Sequence, residues 1–209
     1  MATLSDSTIS TLLKPYAVTE DVFSPTLVSQ LSVYLALLLK WNARTNLTAI
    51  REPEEIVRRH FGESLFAAQH LGPCSTLLDL GSGAGFPGLP IALLCPQIAV
   101  TLAESQNKKA TFLREVVRTL GLPTEIWPAR VESMTESRRF HTVTLRAVDN
   151  MAQALAAAAP RATHQLVLLT GSSPALPPQF TSETPLSIPN SNSNILVKAI
   201  RTTPVSVDM

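Results

Sequence analysis

Cysteine is scarce in this chain of 209 residues, with only Cys74 and Cys95 present. Two thiols at that spacing make neither a disulfide framework nor a CxxC metal or redox site, and free thiols suit the cytosol. Histidine is sparse too. Those at positions 60, 70, 141 and 164 form no i,i+4 pair and have no cysteine or carboxylate at ligand spacing, so no metal is expected. Neither sign of charge dominates. Lysine and arginine total 17 against 16 aspartates and glutamates, a formal net charge of +1. This argues against coating nucleic acid by electrostatics alone but leaves room for a local basic face. The longest apolar run, "LSVYLALLL" from Leu31 to Leu39, is too short to span a bilayer. The opening "MATLSDSTIS" lacks the basic start and apolar stretch of a secretory signal, so the cytoplasm is the expected location.

What is present suits a globular α/β protein. Apolar residues make up 45% of the chain and charged residues 16%, enough for one main domain with a substantial core. Up to about residue 72 the pattern is helical. Ser24 is an expected N-cap and Pro25 a first helical residue, followed by a stripe of Leu27, Leu31, Tyr34, Leu35 and Leu38. After the polar turn "ARTNLT", a second helix is expected from Pro53, with Val57, Phe61, Leu65 and Ala68 in register. The rhythm then changes. Strands are expected at "TLLDL" (76–80), "QIAVTLAE" (97–104), "TEIWPA" (124–129), "HTVTLRAV" (141–148) and "HQLVLLT" (164–170). Between them, "GLPIALLC", "NKKATFLREVVRTLG" and "DNMAQALAAAAP" supply crossover helices, so the sheet should be mostly parallel with helices on both faces. "FTSETPLSIP" and "NILVKAIR", joined by the polar "NSNS", predict a closing antiparallel pair. The organisation is therefore a helical extension, 1–72, packed on a single globular unit, 73–209.

In "LLDLGSGAGFPGLP" (77–90) the first strand ends on an acid and runs into glycines at alternate positions. Ligands of open parallel sheets bind beyond the carboxyl ends of the strands, and bare backbone there lets a ligand lie against the main chain. Gly83, Gly85 and Gly88 match a dinucleotide G-x-G-x-x-G, and Glu104 follows about twenty residues on, where a ribose ligand belongs. Asp79 tips the balance. A carboxylate two residues before the first glycine suits the ammonium of S-adenosylmethionine, whereas a dinucleotide offers no cation there except its nicotinamide ring.

The segments "KWNARTNLTAI" (40–50), "EEIVRRHFGESL" (54–65), the glycine loop, "ESQNKKATFLREV" (104–116), "ARVES" (129–133) and "LRAV" (145–148) follow in an order that resembles the bacterial 16S ribosomal RNA guanine-N7 methyltransferase family, ribosomal small subunit methyltransferase G or glucose-inhibited division protein B. The resemblance covers about residues 25 to 150. It implies a class I S-adenosylmethionine-dependent methyltransferase fold, Rossmann-like and mostly parallel with an antiparallel C-terminal strand, behind a helical N-terminal extension. It also implies methyl transfer to N7 of one guanosine of 16S ribosomal RNA, in free RNA or the small subunit; a monomer is expected, with no membrane and no metal. By position, Asp79, Gly81, Gly83 and Gly85 would contact the methionyl end, Glu104 would hold the ribose, Arg130, Val131 and Glu132 would line the adenine side, and Ser82 and Phe86 would also bind the cofactor. Arg146 would face the methyl group as the catalytic positioning residue, holding guanine O6 or stacking on the base, or else pair structurally with Asp79 or Glu104. RNA contacts are expected from Lys40, Arg44, Arg51, Arg58, Arg59 and His60, with Trp41 available for stacking, although nearby glutamates make a solvated helix face an equal alternative.

Two departures stand against the resemblance. Thr170 and Gly171 occupy the place where the family commonly has lysine and glycine, and the proline- and serine-rich stretch after them leaves no room for the usual last helix. A catalytically inactive RNA- or ribosome-binding relative therefore stays open as an alternative. A nicotinamide oxidoreductase is a poorer one, since no His, Lys or Tyr constellation for proton transfer is visible.

Overall fold

The computed structural model describes residues 4–148, 150–191 and 193–202. Asp149, at the start of the third expected crossover, and Asn192, in the expected polar turn, lie outside the described residues.

Helices α1 (Asp6–Leu13) and α2 (Pro25–Thr45) open the chain. Ser24 caps α2 by accepting a hydrogen bond from the Leu27 N–H, and Asn46 ends it in the left-handed conformation. The expected apolar stripe is buried, extended by Val28, Leu39 and Asn42. Each fully buried leucine on it contributes about 1.5–3 kcal/mol. The second expected helix is one helical run in three parts. A short α3 (Pro53–Glu55) leads into a π-helical stretch, Ile56–Gly62, and then α4 (Glu63–Gln69). The widened turn carries Arg59 and His60 and delivers Glu63, and π turns of this kind cluster at functional sites.

Strand β1 (Thr76–Leu80) precedes α5 (Gly88–Leu94), β2 (Ala99–Ala103), α6 (Asn107–Leu120), β3 (Glu125–Trp127), β4 (Phe140–Arg146), α7 (Met151–Ala158) and β5 (Ala162–Thr170). Gly121 stops α6 at φ 64°, as its position suggests. The closing strands correct the expectation of a single pair. Pro185 lies in the break that splits the first expected strand into β6 (Phe180–Ser182) and β7 (Leu186–Ser187), and both pair with β8 (Ile195–Arg201). Among the described residues no helix lies between β5 and β6.

The strand order is β3-β2-β1-β4-β5-β8-β6. Strands β1 to β5 run parallel, and β8 is antiparallel to β5. The order of strands reverses between β1 and β4, and a switch point of this kind opens a crevice at the carboxyl edge. Along β1 the side chains alternate between faces. Leu77 packs with α2, α4, α5 and α6, whereas Leu78 packs with α7 and the segment around Val131 and Met134.

Candidate functional site

The glycine loop is fastened from below. Gly81 N–H and Ser82 N–H both donate to the Ala103 carbonyl, at 2.9 and 3.0 Å, so the end of β2 holds the start of the loop. Alternation puts Asp79 on Leu77's side, under α5, rather than on the side of Leu78 and Leu80. Its carboxylate is 1% exposed. Oδ1 accepts from the Thr144 hydroxyl at 2.8 Å, and Oδ2 accepts from the Gly88 N–H at 3.1 Å. This differs from the expected pairing with a ligand ammonium: both oxygens are engaged in fixing β4 and the start of α5 to the loop. Ser82 is buried as well, its hydroxyl donating to the Asp79 carbonyl at 2.9 Å.

Burial pushes the Asp79 carboxyl up from 3.8 to about 6, against the lowering effect of its bonds to Thr144, Gly88 and Ser82 and of the Arg146 charge. The unfolded chain therefore releases this proton first, and stability falls as pH rises from about 4 to about 6. His60 acts in the opposite sense. Burial, then the charges of Arg146 and Arg59, push its imidazole from 6.5 down to about 2, so its contribution is lost as pH falls below the unfolded value. Comparison of single variants separates the two. Asp79→Asn keeps the shape and should remove a fall on the order of 2 kcal/mol between pH 4 and 6. Urea unfolding of both proteins across that range reads it, and parallel curves would contradict it.

On the other side of β1 lies a crevice of about 280 Å³, floored by Leu80, Gly81 and Glu104 and walled by Ala129 to Glu132 on one side and by α7 on the other. Glu104 spans its floor: Oε2 accepts from the Gly83 N–H at 2.9 Å and Oε1 from the Gln106 N–H at 2.7 Å, tying the loop to the start of α6. Gly81 sits at φ +73°, and a Cβ there would meet nothing within 4 Å, projecting instead into open space. A flat apolar slot, a carboxylate at its base and unobstructed backbone beside it fit the adenosine half of S-adenosylmethionine.

Five of the expected cofactor residues, Gly81, Glu104, Arg130, Val131 and Glu132, line this crevice. Asp79, Ser82, Gly83, Gly85, Phe86 and Arg146 are not among its lining residues. Phe86 is buried between Tyr34, 5.4 Å away and stacked, and His60, 4.6 Å away and stacked. The Tyr34 hydroxyl donates to the Ala84 carbonyl, so helix α2 grips the loop from the side opposite the crevice.

Arg146 ends β4 on the Asp79 face. Its Nη1 donates to His60 Nδ1 at 2.7 Å, and its Nη2 donates to the Arg59 carbonyl at 2.7 Å and to Glu63 Oε2 at 3.0 Å. Arginine has only donors, so His60 Nδ1 is the acceptor and Nε2–H of the neutral ring donates to Thr48 Oγ1 at 2.7 Å. Glu63, 1% exposed, also accepts from Arg59 Nε at 3.0 Å and Asn194 Nδ2 at 2.9 Å. The structural partner of Arg146 is thus Glu63, in place of the Asp79 or Glu104 considered from sequence.

The expected RNA contacts divide. Lys40 and Arg44 are exposed on one face of α2 and, among the described residues, form no salt bridge. With Trp41 and Glu115 they rim a hollow of about 250 Å³. Arg51 instead ties the end of α2, donating to the Asn42 carbonyl at 2.7 Å and Asn46 Oδ1 at 2.6 Å. Arg58 pairs with Glu54, and Arg59 with Glu55 and Glu63. One aromatic expectation is corrected. His60 is stacked on Phe86 and bonded at both nitrogens, so its ring is not free to stack on a base, and Trp41 is only half-buried, its N–H donating to Glu115 at 2.9 Å and its ring tilted against Phe112.

Sequence reasoning missed the α7 wall, Asn150, Gln153, Ala154 and Ala157. Asn150, at the carboxyl edge just after β4, caps α7 by accepting from the Gln153 N–H at 3.1 Å, and an Asn before an alanine-rich helix was the available signal. Among the described residues no group of three metal-ligating side chains converges, and no helix is long and apolar enough to cross a membrane.

A family model described as rRNA small subunit methyltransferase G matches residues 27–178. The Ribosomal RNA small subunit methyltransferase G of Stenotrophomonas maltophilia (strain K279a) is 49% identical over 120 residues, 57% of this chain and 56% of that protein. Its counterpart in Xylella fastidiosa (strain M23) is 49% identical over 125 residues, 59% of this chain and 58% of that protein. The matched stretch thus spans little more than half the length of these curated relatives. Among solved structures, ribosomal protein L11 methylase from Lactobacillus delbrueckii subsp. bulgaricus aligns with a TM-score of 0.56 at 9% identity, over 70% of this chain and 80% of that one. TrmN from Thermus thermophilus aligns at 0.54 with 19% identity, over 69% and 53%. These likenesses show the fold to be the Rossmann-like, mostly parallel class I methyltransferase fold with antiparallel closing strands.

Proposed function

The chain belongs to the rRNA small subunit methyltransferase G family, and from that premise we propose that it transfers a methyl group from S-adenosylmethionine to N7 of a guanosine in 16S ribosomal RNA. The observation that carries this reading is the crevice beyond β1 and β2, where Glu104 and the bare backbone at Gly81 meet an apolar slot. Glu104 would accept the ribose hydroxyls, and Val131 and the α7 alanines would enclose the adenine. When bound, the cofactor supplies a methyl group made electrophilic by its sulfonium.

Guanine N7 carries a lone pair and no proton, so transfer needs no general base and the protein's task is alignment. Arg146 suits that task. Three of its five N–H groups are held by the helical extension, which leaves Nε–H and one Nη1–H as donors for the purine O6/N7 edge, the edge arginine reads. Asp79, with both oxygens engaged, would act by shaping the loop that receives the methionyl end. The extension 1–72 and the domain 73–209 would work as one monomeric, cytoplasmic unit.

Lys40 and Arg44 are the proposed phosphate contacts. Lys40→Glu combined with Arg44→Glu should weaken RNA binding about tenfold or more and flatten its salt dependence by about two phosphate contacts, with cofactor affinity unchanged. Filter binding at several salt concentrations reads this, and an unaltered slope would remove the face from the reading. The near-neutral charge favours the assembled subunit as substrate. Equal methylation of free RNA and subunits would count against it.

The reading is tested by incubating the protein with labelled S-adenosylmethionine and unmethylated 30S subunits, then analysing the nucleosides. 7-Methylguanosine in the 16S RNA is expected. Thr170 and the absence of a helix between β5 and β6 favour, as a second reading, an inactive relative that would bind the subunit and form none.

A further inference from the structure

Arg161 joins the two walls of the crevice. It follows α7 by three residues and precedes β5; its N–H donates to the Ala158 carbonyl at 2.9 Å, and its own carbonyl accepts from the Phe140 N–H at 2.8 Å. Its side chain is buried, with the residue 6% exposed. The guanidinium donates to four carbonyls of one segment: Nη1 to Thr135 at 2.6 Å and Arg138 at 3.1 Å, Nη2 to Val131 at 3.3 Å and Met134 at 3.0 Å. That segment begins with Val131 and Glu132, which form one wall of the crevice, while Gln153, Ala154 and Ala157 of α7 form the other.

No carboxylate pairs with Arg161 among the described residues. Its charge is shared among carbonyl dipoles in a poorly solvated place: those of Met134 and Arg138 have no other donor among the described residues, whereas those of Val131 and Thr135 also accept from the Met134 and Arg138 N–H groups, both at 3.0 Å. The planar fork suits four acceptors along one turn-rich segment, and a lysine ammonium, a single point with three donors, does not span them. Val131 and Met134 pack in the same apolar cluster as Leu155 and Ala158 of α7, so the segment's position and the spacing of the two walls are set together.

We propose that Arg161 is a positioning residue that fixes the width of the crevice at its adenine end, and thereby the affinity for the adenosine half of the cofactor. The inference rests on the cofactor reading above. It concerns binding rather than methyl transfer, so within each variant, Arg161→Lys or Arg161→Ala, S-adenosylhomocysteine and 5′-methylthioadenosine should weaken by the same factor as each other.

Calorimetric titration of the full chain with both probes tests this. The expected loss is about tenfold for Arg161→Ala and smaller for Arg161→Lys. Amide exchange across 131–138 should quicken in step, while kcat at saturating cofactor and KM for the subunit stay unchanged. Should the alanine variant fail to fold, the lysine variant carries the same comparison. Affinity equal to wild type in the folded variants, or a lowered kcat at unchanged affinity, would overturn the inference alone. A wild-type protein that binds neither probe would overturn it together with the cofactor reading.

Discussion

Glu63→Ala should cost about 3–5 kcal/mol of folding stability, the range for removing one partner of a buried ion pair, and should cut methyl transfer at least about tenfold through misplacement of Arg146. Glu63 is 1% exposed and receives hydrogen bonds from Arg146, Arg59 and Asn194. The arms are unequal. Arg59 is 42% exposed in its side chain, so its pairing is screened and contributes little, whereas the Arg146 side chain is 10% exposed. Without the carboxylate, a desolvated guanidinium keeps only a carbonyl and a neutral imidazole. Glu63→Gln retains an acceptor for Arg146 and should lose less. Urea unfolding at neutral pH measures the stability term, and a loss under about 1 kcal/mol for the alanine variant would show that Arg146 does not depend on this pair.

Gly85→Ala should be nearly as costly and should abolish measurable cofactor binding. The φ at this position is +95°, and an added Cβ would lie 2.4 Å from Leu89 Cδ1 and 2.6 Å from the Tyr34 hydroxyl oxygen. Leu89 is fully buried on α5, and the Tyr34 hydroxyl is committed to the Ala84 carbonyl, so neither neighbour yields freely. Overpacking of this kind costs about 1–3 kcal/mol, and the backbone conformation adds about 1–2 kcal/mol for a residue with a side chain. The loop would relieve the clash by moving toward the crevice. Thermal melting with a parallel S-adenosylhomocysteine titration checks both effects, and a variant that melts and binds like wild type would refute the close packing of α2 against the loop.

The parallel sheet was legible because its strands are short, β-rich and separated by crossover stretches, and because Ser24, Pro25 and Gly121 mark helix ends by simple rules. Five crevice residues were legible for a related reason: they sit at strand ends or in the loops just after them, where the fold class itself puts ligands. The orientation of Asp79 could have been anticipated from alternation, since Leu77 and Asp79 must share a face. The Arg146 network could not. His60 lies 86 residues before Arg146 in sequence, and the π turn that brings Arg59, His60 and Glu63 onto one side of the helix breaks the 3.6-residue pattern from which a face is read. Arg161 was similarly hidden, because its partners are backbone carbonyls that carry no residue signature.

Every functional statement depends on the adenosine half of S-adenosylmethionine lying in the crevice between the 129–132 segment and α7. The most direct measurement is a crystal structure of the protein grown with S-adenosylhomocysteine. Density for the nucleoside should lie over Leu80 and Gly81, with the ribose hydroxyls on Glu104 and the adenine between Val131 and Ala154. A nucleoside bound elsewhere, or an empty crevice at saturating ligand in which Glu104 keeps both of its backbone partners, would contradict it.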